Sequence, residues 1–290
     1  MMVRIFGNYK APLFGRATNR IDLRPFRTDT IKQILADYNP SYSPDDLLCL
    51  YSISGGIPYY IAILMDMGAT TKDKMIDAVC QPQSRFLHEG FDMTVSEFGK
   101  QYSNYFGILQ LIASGMTTQK EIDSIVGKNS GPYMQTLENE YSLISRNKPF
   151  NSKPGTRNMR WNLNDNFLTF WFRFIAPYSS LIEMGNFESL HKIIDEGYPQ
   201  FSGKMLERYF RQKIMEETSA TNVGSWWDRK GENEIDLIAV SSIDKWIKVA
   251  EVKRNRKKID LTLTKKKVSA MRSTLPRYPL EVIGLSLEDM

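Results

Sequence analysis

Cysteine and histidine are scarce in this 290-residue chain, which contains two of each: Cys49, Cys80, His88 and His191. Their spacing matches neither a disulfide framework nor a set of metal ligands, so we expect two reduced core thiols in a reducing compartment and no zinc site. Long apolar runs are also lacking, since no stretch approaches the roughly 20 residues that cross a bilayer. Residues 1–7 have no signal-peptide layout. These absences predict a cytoplasmic protein that has no membrane partner.

A further absence concerns ATP. The phosphate-binding motif Gly-x-x-x-x-Gly-Lys-Ser/Thr does not occur, because the Gly-Lys pairs at Gly99, Gly127 and Gly203 lack both the upstream glycine and the following hydroxyl residue. Without this loop the sequence has no recognisable cradle for nucleotide phosphates. We therefore expect no ATP hydrolysis by the chain alone.

Two stretches near the C-terminal end predict a β-hairpin. Residues 234–240 and 249–253 are rich in β-branched residues and alternate as strands with one buried face. A polar segment separates them. If the loop is the four residues 242–245, Ser241 pairs with Trp246.

The same register places Asp236 directly opposite Glu251, and Lys253 projects from the same face two residues further on. Facing carboxylates lie about 5 Å apart at Cβ and repel each other unless a proton, a lysine or a cation lies between them. Hard oxygen ligands beside an ammonium suit Mg²⁺ or Mn²⁺, which generate hydroxide from bound water and stabilise the charge on a phosphate under attack. The hairpin therefore predicts a divalent metal site for phosphate chemistry.

The net charge of +5 conceals a strongly basic segment. Residues 253–277 hold ten basic residues and one acid, Asp260. A partner with a phosphate backbone suits such a segment, because each neutralised phosphate releases condensed counterions. The alternative is a solvated helix face. The candidate DNA-contact residues in this segment are Arg254, Arg256, Lys257, Lys258, Lys265 and Lys266.

The first hundred residues predict a short strand followed by helices. Residues 20–26 alternate as a strand, and apolar residues recur at helical spacing from residue 28 to about 80. The turn at Gly55 and Gly56 leads into an apolar helix with Pro58 near its first position. As structure alone this turn is a helix start, and its paired glycines also allow a ligand to approach the backbone.

Residues 102–163 predict three helices and two antiparallel strands, which is the layout of a winged helix. Thr118 and Glu121 form the capping box that begins the second helix. The third helix holds no basic residue, so it complements a major groove poorly. The alternative to DNA binding is a packing or protein-contact role. Phosphate contacts would fall to the basic residues of the wing: Arg146, Lys148, Lys153, Arg157 and Arg160.

The remaining residues predict a buried helix and then a mixed α/β segment. Residues 165–175 are too aromatic on all sides for a surface helix, and a connector helix is predicted over 188–196, before Gly197. From residue 201 the pattern gives a helix, a strand, the hairpin, a basic helix and a final strand. Glu207 lies at the border of the first helix's apolar face and can lean inward.

Several of these segments resemble the archaeal-type ATPases of the STAND branch of the AAA+ superfamily. The resemblance rests on Leu13-Phe14-Gly15-Arg16, Leu23-Arg24-Pro25-Phe26, Gly55-Gly56-Ile57-Pro58-Tyr59-Tyr60 and the aromatic run from Asp165 to Phe174. It implies that Pro25 and Phe26 close the last ATPase strand and that a helical lid follows. It also implies that Gly56 and Pro58 lie against the adenine, with Arg16 near the nucleotide or an adjacent subunit. The chain looks like an N-terminally truncated member, so ATP binding and any oligomer formed through the ATPase half belong to a full-length parent.

The element order of the last ninety residues resembles the PD-(D/E)xK nuclease fold, in which such ATPases commonly end. Carried over residue by residue, the resemblance makes Asp236 and Glu251 the metal ligands and Glu207 an outer ligand. Lys253 would position or polarise the attacking water and stabilise developing charge.

Together these interpretations predict a multidomain α plus α/β protein that has a helical AAA+ lid, a winged helix and a restriction-endonuclease-like PD-(D/E)xK domain. The predicted boundaries are 1–27 for a remnant of the ATPase core, 28–100 for the lid, 101–165 for the winged helix, 166–200 for connector helices and 201–290 for the nuclease-like domain. The first functional hypothesis is a Mg²⁺- or Mn²⁺-dependent deoxyribonuclease. The alternative is a non-catalytic module that binds DNA or a protein partner under the control of the ATPase half, with residual nucleotide contact through Gly55 to Pro58.

Overall fold

The computed structural model describes residues 23–98, 102–127 and 129–290, together with residues 15, 16, 18, 19 and 21. These residues form a mixed α plus β structure with one two-stranded and one four-stranded sheet. Contacts divide the chain into two compact units. The first unit comprises 1–25, 79–147 and 160–193, and the second comprises 26–78, 148–159 and 194–290.

The predicted strand over residues 20–26 is not formed in its described residues, 21 and 23–26. Ile21 and Leu23, which alternation places on one buried face, are 85% and 92% exposed. A strand needs a neighbour to satisfy its backbone N–H and C=O groups, and none of the described strands pairs with this segment. Arg20 and Asp22 lie outside the described residues, as do Leu13 and Phe14 of the ATPase-like motif.

The segment from residue 28 to about 80 is helical, as its apolar spacing predicts, and it contains α1 (Thr28–Tyr38), α2 (Pro44–Ser54), α3 (Pro58–Asp66) and α4 (Lys72–Val79). Helix α2 begins with a capping box, in which the Ser43 hydroxyl accepts a hydrogen bond from the Asp46 N–H and the Asp46 carboxylate accepts one from the Ser43 N–H. Pro58 is the first residue of α3, where its missing N–H costs no helical hydrogen bond.

The middle of the chain confirms the predicted order of three helices and an antiparallel strand pair. The elements are α5 (Arg85–Phe98), α6 (Tyr102–Ser114), α7 (Gln119–Val126), α8 (Gly131–Asn139), β1 (Ile144–Asn147) and β2 (Arg160–Leu163). The predicted capping box at Thr118 and Glu121 starts α7. Next come α9 (Asn166–Phe174) and α10 (Ser179–Glu183). Helix α9 is buried as predicted, and its Trp171 indole N–H donates to the Leu87 carbonyl at 3.1 Å.

One continuous helix, α11 (Phe187–Glu217), replaces the two helices predicted on either side of residues 197–200. The prediction of a connector ending before Gly197 is therefore wrong. Pro199 lies inside α11, where it removes a backbone donor, but burial of a continuous apolar stripe outweighs the cost of the glycine and the proline. The stripe comprises Leu190, Ile194, Tyr198, Phe201 and Met205.

The rest of the chain forms the four-stranded sheet and one helix. The elements are β3 (Asn222–Trp227), β4 (Glu234–Ser241), β5 (Trp246–Val252), α12 (Leu261–Met271) and β6 (Leu280–Leu285). The sheet order is β3-β4-β5-β6, with antiparallel pairing except between β5 and β6, which are parallel and joined through α12. The predicted order of elements is confirmed.

Helix α12 covers one face of this sheet. Its Val268 and Met271 join a buried cluster with Ile238 of β4 and with Ile247 and Val249 of β5. This packing holds the polar residues of α12 close to the strand ends. Cys49 and Cys80 are free and buried, as predicted for core thiols. Within the described part of the chain, no helix has the length and apolar character needed to cross a membrane.

Candidate functional site

The hairpin of β4 and β5 brings two carboxylates together. Ser241 pairs with Trp246, and the ladder keeps this register along its length, so the predicted register is confirmed. Asp236 and Glu251 form the next facing pair beyond the ladder and are 7% and 8% exposed. Two negative charges buried at this spacing require a positive neighbour.

Lys253 supplies that positive charge. Its Nζ atom lies 2.9 Å from Asp236 Oδ2 and 3.0 Å from Glu251 Oε1. Burial acts to lower the pKa of Lys253, but the attraction and hydrogen bonds of Asp236 and Glu251 outweigh it, and the pKa of Lys253 is raised. The ammonium therefore stays charged at neutral pH and holds the three side chains as one cluster.

Neighbouring groups fix the orientation of the two carboxylates. The Val252 N–H donates to Asp236 Oδ2 at 2.9 Å. The Thr264 hydroxyl lies 3.2 Å from Glu251 Oε2 and 2.8 Å from the Asp260 carbonyl, and its one proton is shared between these acceptors. The Lys253 N–H donates to the Leu285 carbonyl at 3.0 Å, so the backbone at the end of β5 remains tied to β6. Such contacts limit the rotation of the acidic side chains and make their oxygens available in defined directions.

A second lysine, Lys267 of α12, also reaches this cluster. Its Nζ lies 4.0 Å from Glu251 Oε2 and donates to the Glu234 carbonyl at 3.0 Å, and its side chain is 15% exposed. Sequence reasoning assigned no site role to Lys267 or to Thr264. Their spacing gives a usable signal, because positions 264, 267, 268 and 271 share the helix face that carries the buried Val268 and Met271.

Glu207 approaches the cluster from α11. Its carboxylate lies 3.0 Å from Arg211 Nη2. Burial raises the pKa of Glu207 to about 7, the negative charge of Asp236 adds to the rise, and Arg211 opposes it. No group of three His, Cys, Asp or Glu side chains suited to a metal ion occurs among the residues that the structure describes. A divalent cation here would therefore depend first on Asp236 and Glu251.

The candidate DNA-contact residues fall into two groups. Arg254 and Arg256 are already paired with carboxylates, Arg254 with Asp45 at 2.8 Å and Arg256 with Asp289 at 2.9 Å. The others in the basic segment are exposed, in the 3-10 turn at Arg256–Lys258 and on α12: Lys257, Lys258, Lys265 and Lys266.

The two wing arginines differ in exposure. Arg157 is exposed in the loop between β1 and β2, which belongs to the second unit. Arg160 begins β2 in the first unit, is half-buried and lies near enough to Glu121 to lower the pKa of that carboxyl slightly, after the larger effect of the Thr118 hydrogen bonds.

The candidate nucleotide residues do not form a cluster within one unit. Arg16 is exposed and belongs to the first unit, whereas Gly56 and Pro58 belong to the second. Gly56 has φ +82°, and a Cβ there would lie 2.6 Å from the Phe26 carbonyl oxygen. The Phe26 N–H donates to the Gly56 carbonyl at 2.7 Å. The close backbone approach that glycine permits is thus made by the chain itself.

Comparisons with known proteins give a relationship without an activity. Residues 171–270 match the model of DUF234, described as archaeal and bacterial proteins of unknown function. This segment includes Glu207, Asp236, Glu251 and Lys253. The chain is also 31% identical over 256 residues to the uncharacterized protein MJECL04 of Methanocaldococcus jannaschii. The alignment covers 85% of this chain and 55% of that protein, so the chain spans about half the length of the curated relative it matches. No solved structure matches the chain.

Proposed function

We propose that the cluster of Asp236, Glu251 and Lys253 is the centre of a metal-dependent phosphodiesterase that cleaves DNA. The observation that carries this proposal is the Lys253 ammonium within 3.0 Å of two buried carboxylates at the end of a strand hairpin. The sheet order, with one parallel strand added through α12, supports the restriction-endonuclease-like PD-(D/E)xK interpretation.

The donor set fits a hard divalent cation. Mg²⁺ is commonly held by one or two carboxylates while it keeps several waters, and Asp236 with Glu251 provides such a pair. Glu207 would be an outer ligand. When bound, Mg²⁺ or Mn²⁺ would supply positive charge and lower the pKa of water.

The protein's own groups would perform the remaining tasks. The Lys253 ammonium would stabilise negative charge on the phosphate and orient the attacking water. Thr264 would hold Glu251 in one orientation through its hydroxyl, and Lys267 would balance the charge of Glu251 from α12.

Exposed lysines would bind the DNA. They are close in sequence to Glu251 and Lys253 and lie between β5 and the end of α12. Lys257 and Lys258 follow β5, and Lys265 and Lys266 lie on α12. Such side chains contact phosphates without reading sequence. Arg157 and Arg160 remain candidates for contacts made through the wing.

We also propose that the chain corresponds to part of an archaeal-type AAA+ ATPase of the STAND branch. Under this proposal residues 28–100 form the helical lid, residues 101–165 form a winged helix, and nucleotide contacts through Arg16, Gly56 and Pro58 belong to a full-length parent. The relative's greater length is compatible with an ATPase half, because 45% of it lies outside the alignment.

A non-catalytic role is the second candidate, and the Lys253 ion pairs are the observation that favours it. An ammonium that already bridges two carboxylates can complete a structural cluster without any metal cation. The module would then bind DNA or a protein partner under the control of the ATPase half.

Plasmid cleavage separates these two candidates. We expect purified protein to nick supercoiled DNA with Mg²⁺ or Mn²⁺ and not with EDTA, and we expect Asp236→Asn and Glu251→Gln to lose the activity. Glu281→Gln is the matched control, because Glu281 is a carboxylate on the same sheet that is 62% exposed. Absence of both cleavage and Mn²⁺ binding by calorimetry in the wild type would end the nuclease proposal.

A further inference from the structure

The side chain that follows Lys253 is held by a different set of partners. The Nη1 and Nη2 atoms of Arg254 lie 2.8 and 2.9 Å from the two carboxylate oxygens of Asp45. Nη1 also donates to the Ser202 hydroxyl at 2.6 Å, and the guanidinium lies 5.3 Å from the centre of the Tyr198 ring. This arrangement uses both the fork and the flat face of an arginine, which a lysine cannot reproduce.

Asp45 is itself fixed in place. It is the second residue of α2, directly after Pro44, and it lies next to Asp46 of the capping box. The Tyr198 hydroxyl donates to Asp45 Oδ1 at 3.3 Å. The side chains of Arg254 and Asp45 are 23% and 29% exposed. The pair therefore joins two positions that are 209 residues apart in the sequence through a partly desolvated contact.

The backbone connects this contact to the candidate site. Lys253 directly follows β5, and Arg254 lies at the bend that comes next, so a single peptide unit joins the two residues. Arg254 contacts Asp45 while Lys253 contacts Asp236 and Glu251. Holding Arg254 in place consequently restricts the backbone position of Lys253 at the end of β5.

We infer that Asp45 and Arg254 are positioning residues, through which helix α2 sets the location of the Lys253 ammonium between Asp236 and Glu251. The effect on catalysis rests on the proposed function, whereas the effect on Lys253 does not. A change that separates α2 from Arg254 would release Lys253 and alter the charge between the two carboxylates. Helix α2 would thereby affect the geometry of a site to which it contributes no ligand.

Amine labelling followed by mass spectrometry measures the state of Lys253 directly. Lys257 and Lys258, which are exposed a few residues away, serve as internal references. We expect Asp45→Asn to raise the labelling rate of Lys253 about threefold or more relative to these references, because an amine released from its charge-assisted hydrogen bonds is more accessible to the reagent. Asp45→Glu, which keeps the charge, should restore part of the protection.

Asp195→Asn is the matched control. Asp195 of α11 pairs with Lys72 of α4 at 3.0 Å, so it too links an N-terminal helix to α11, through a partner other than Arg254. In this variant the amine-labelling rate of Lys253 should equal that of the wild type. Because Asp45→Asn leaves a half-buried arginine unpaired and could unfold the protein, the double variant Asp45→Asn/Arg254→Met removes both charges and should also release Lys253.

The labelling experiment tests the positioning role separately from the proposed DNA cleavage. Wild-type protection of Lys253 in a folded Asp45→Asn or double variant would overturn the inference, whether or not the protein cleaves DNA. If the wild type cleaves, the folded variants should lose turnover while retaining the KM for DNA. A wild type without metal-dependent cleavage would remove the nuclease proposal and leave the labelling result to decide the positioning role.

Discussion

The ammonium nitrogen of Lys253 lies 2.9 Å from a carboxylate oxygen of Asp236, a residue 17 positions earlier in the chain. The same nitrogen reaches Glu251, so one cation joins two strands at the point where their ladder ends. Two acids and one ammonium leave the cluster with a net negative charge before Lys267 is considered. This net negative charge would attract a divalent cation or a metal bound to a phosphate.

Replacing Lys253 tests whether the carboxylate pair attracts a cation. In Lys253→Met the two carboxylates face each other without the ammonium, and we expect the free energy of unfolding in EDTA to fall by about 2 kcal/mol. Mn²⁺ should then raise the Tm of this variant more than that of the wild type, while DNA cleavage is lost. Lys248→Met is the control, because Lys248 of β5 is equally exposed but pairs with Glu281. Equal Tm values with and without Mn²⁺ in Lys253→Met would contradict a metal role.

Glu207 gives a prediction about pH. Its pKa is raised to about 7 in the folded protein from an ordinary value of 4.5, so the folded state binds more protons than the unfolded state between these values. Stability from this group is complete below pH 4.5 and is lost as the pH rises through about 7. At about 1.4 kcal/mol per pKa unit, the loss is on the order of 3 kcal/mol.

Glu207→Gln should remove that dependence. Urea unfolding in EDTA at several pH values between 5 and 8 measures the free energy of unfolding of both proteins. We expect the wild type to lose stability relative to Glu207→Gln as the pH rises. Glu217→Gln, a more exposed position on the same helix, should keep the wild-type profile. Parallel profiles for Glu207→Gln and the wild type would contradict a raised pKa of Glu207.

The exposed lysines of α12 predict the salt dependence of DNA binding. Lys265→Gln/Lys266→Gln should weaken binding to all sequences equally and reduce the slope of log K against log salt by about 0.9 for each phosphate that the variant no longer neutralises. The control Lys74→Gln/Lys120→Gln removes the same charge from exposed positions on α4 and α7. If both double variants lower the slope equally, binding follows net charge and not a surface on α12.

Packing within the first unit predicts opposite effects for two glycines. A Cβ at Gly90 of α5 would overlap the Trp171 ring, whereas one at Gly107 of α6 has no neighbouring atom within 4 Å. Gly90→Ala should therefore lower the free energy of unfolding by about 1–3 kcal/mol. Gly107→Ala should raise it by about 0.5–1 kcal/mol, because alanine favours the helix. Denaturant unfolding checks both, and a neutral Gly90→Ala would show that the ring moves freely.

Local patterns predicted the elements that depend on neighbouring residues. Alternation and a four-residue loop set the β4–β5 register, because a shift of one residue would expose the buried face. The capping box at Thr118 is equally local. The break predicted at Gly197 failed because Tyr198 and its neighbours continue a buried stripe along α11.

Ion pairs between residues far apart in the chain could not be predicted from the sequence. Arg254 was grouped with the DNA-contact residues on charge alone, whereas its partner Asp45 lies on a distant helix. Lys253 was predicted on the correct face of the hairpin, but of the proton, the lysine and the cation that could lie between the carboxylates, a divalent cation was the one predicted. The structure shows the lysine there.

The most direct test of the central claim is a crystal of the protein soaked in Mn²⁺, with anomalous scattering measured at the manganese edge. We predict one strong peak at ligand distance from carboxylate oxygens of both Asp236 and Glu251, with the Lys253 ammonium displaced from its position between them. A cluster that keeps Lys253 between the carboxylates and shows no peak, while Mn²⁺ is bound elsewhere or not at all, would contradict a metal centre at this site.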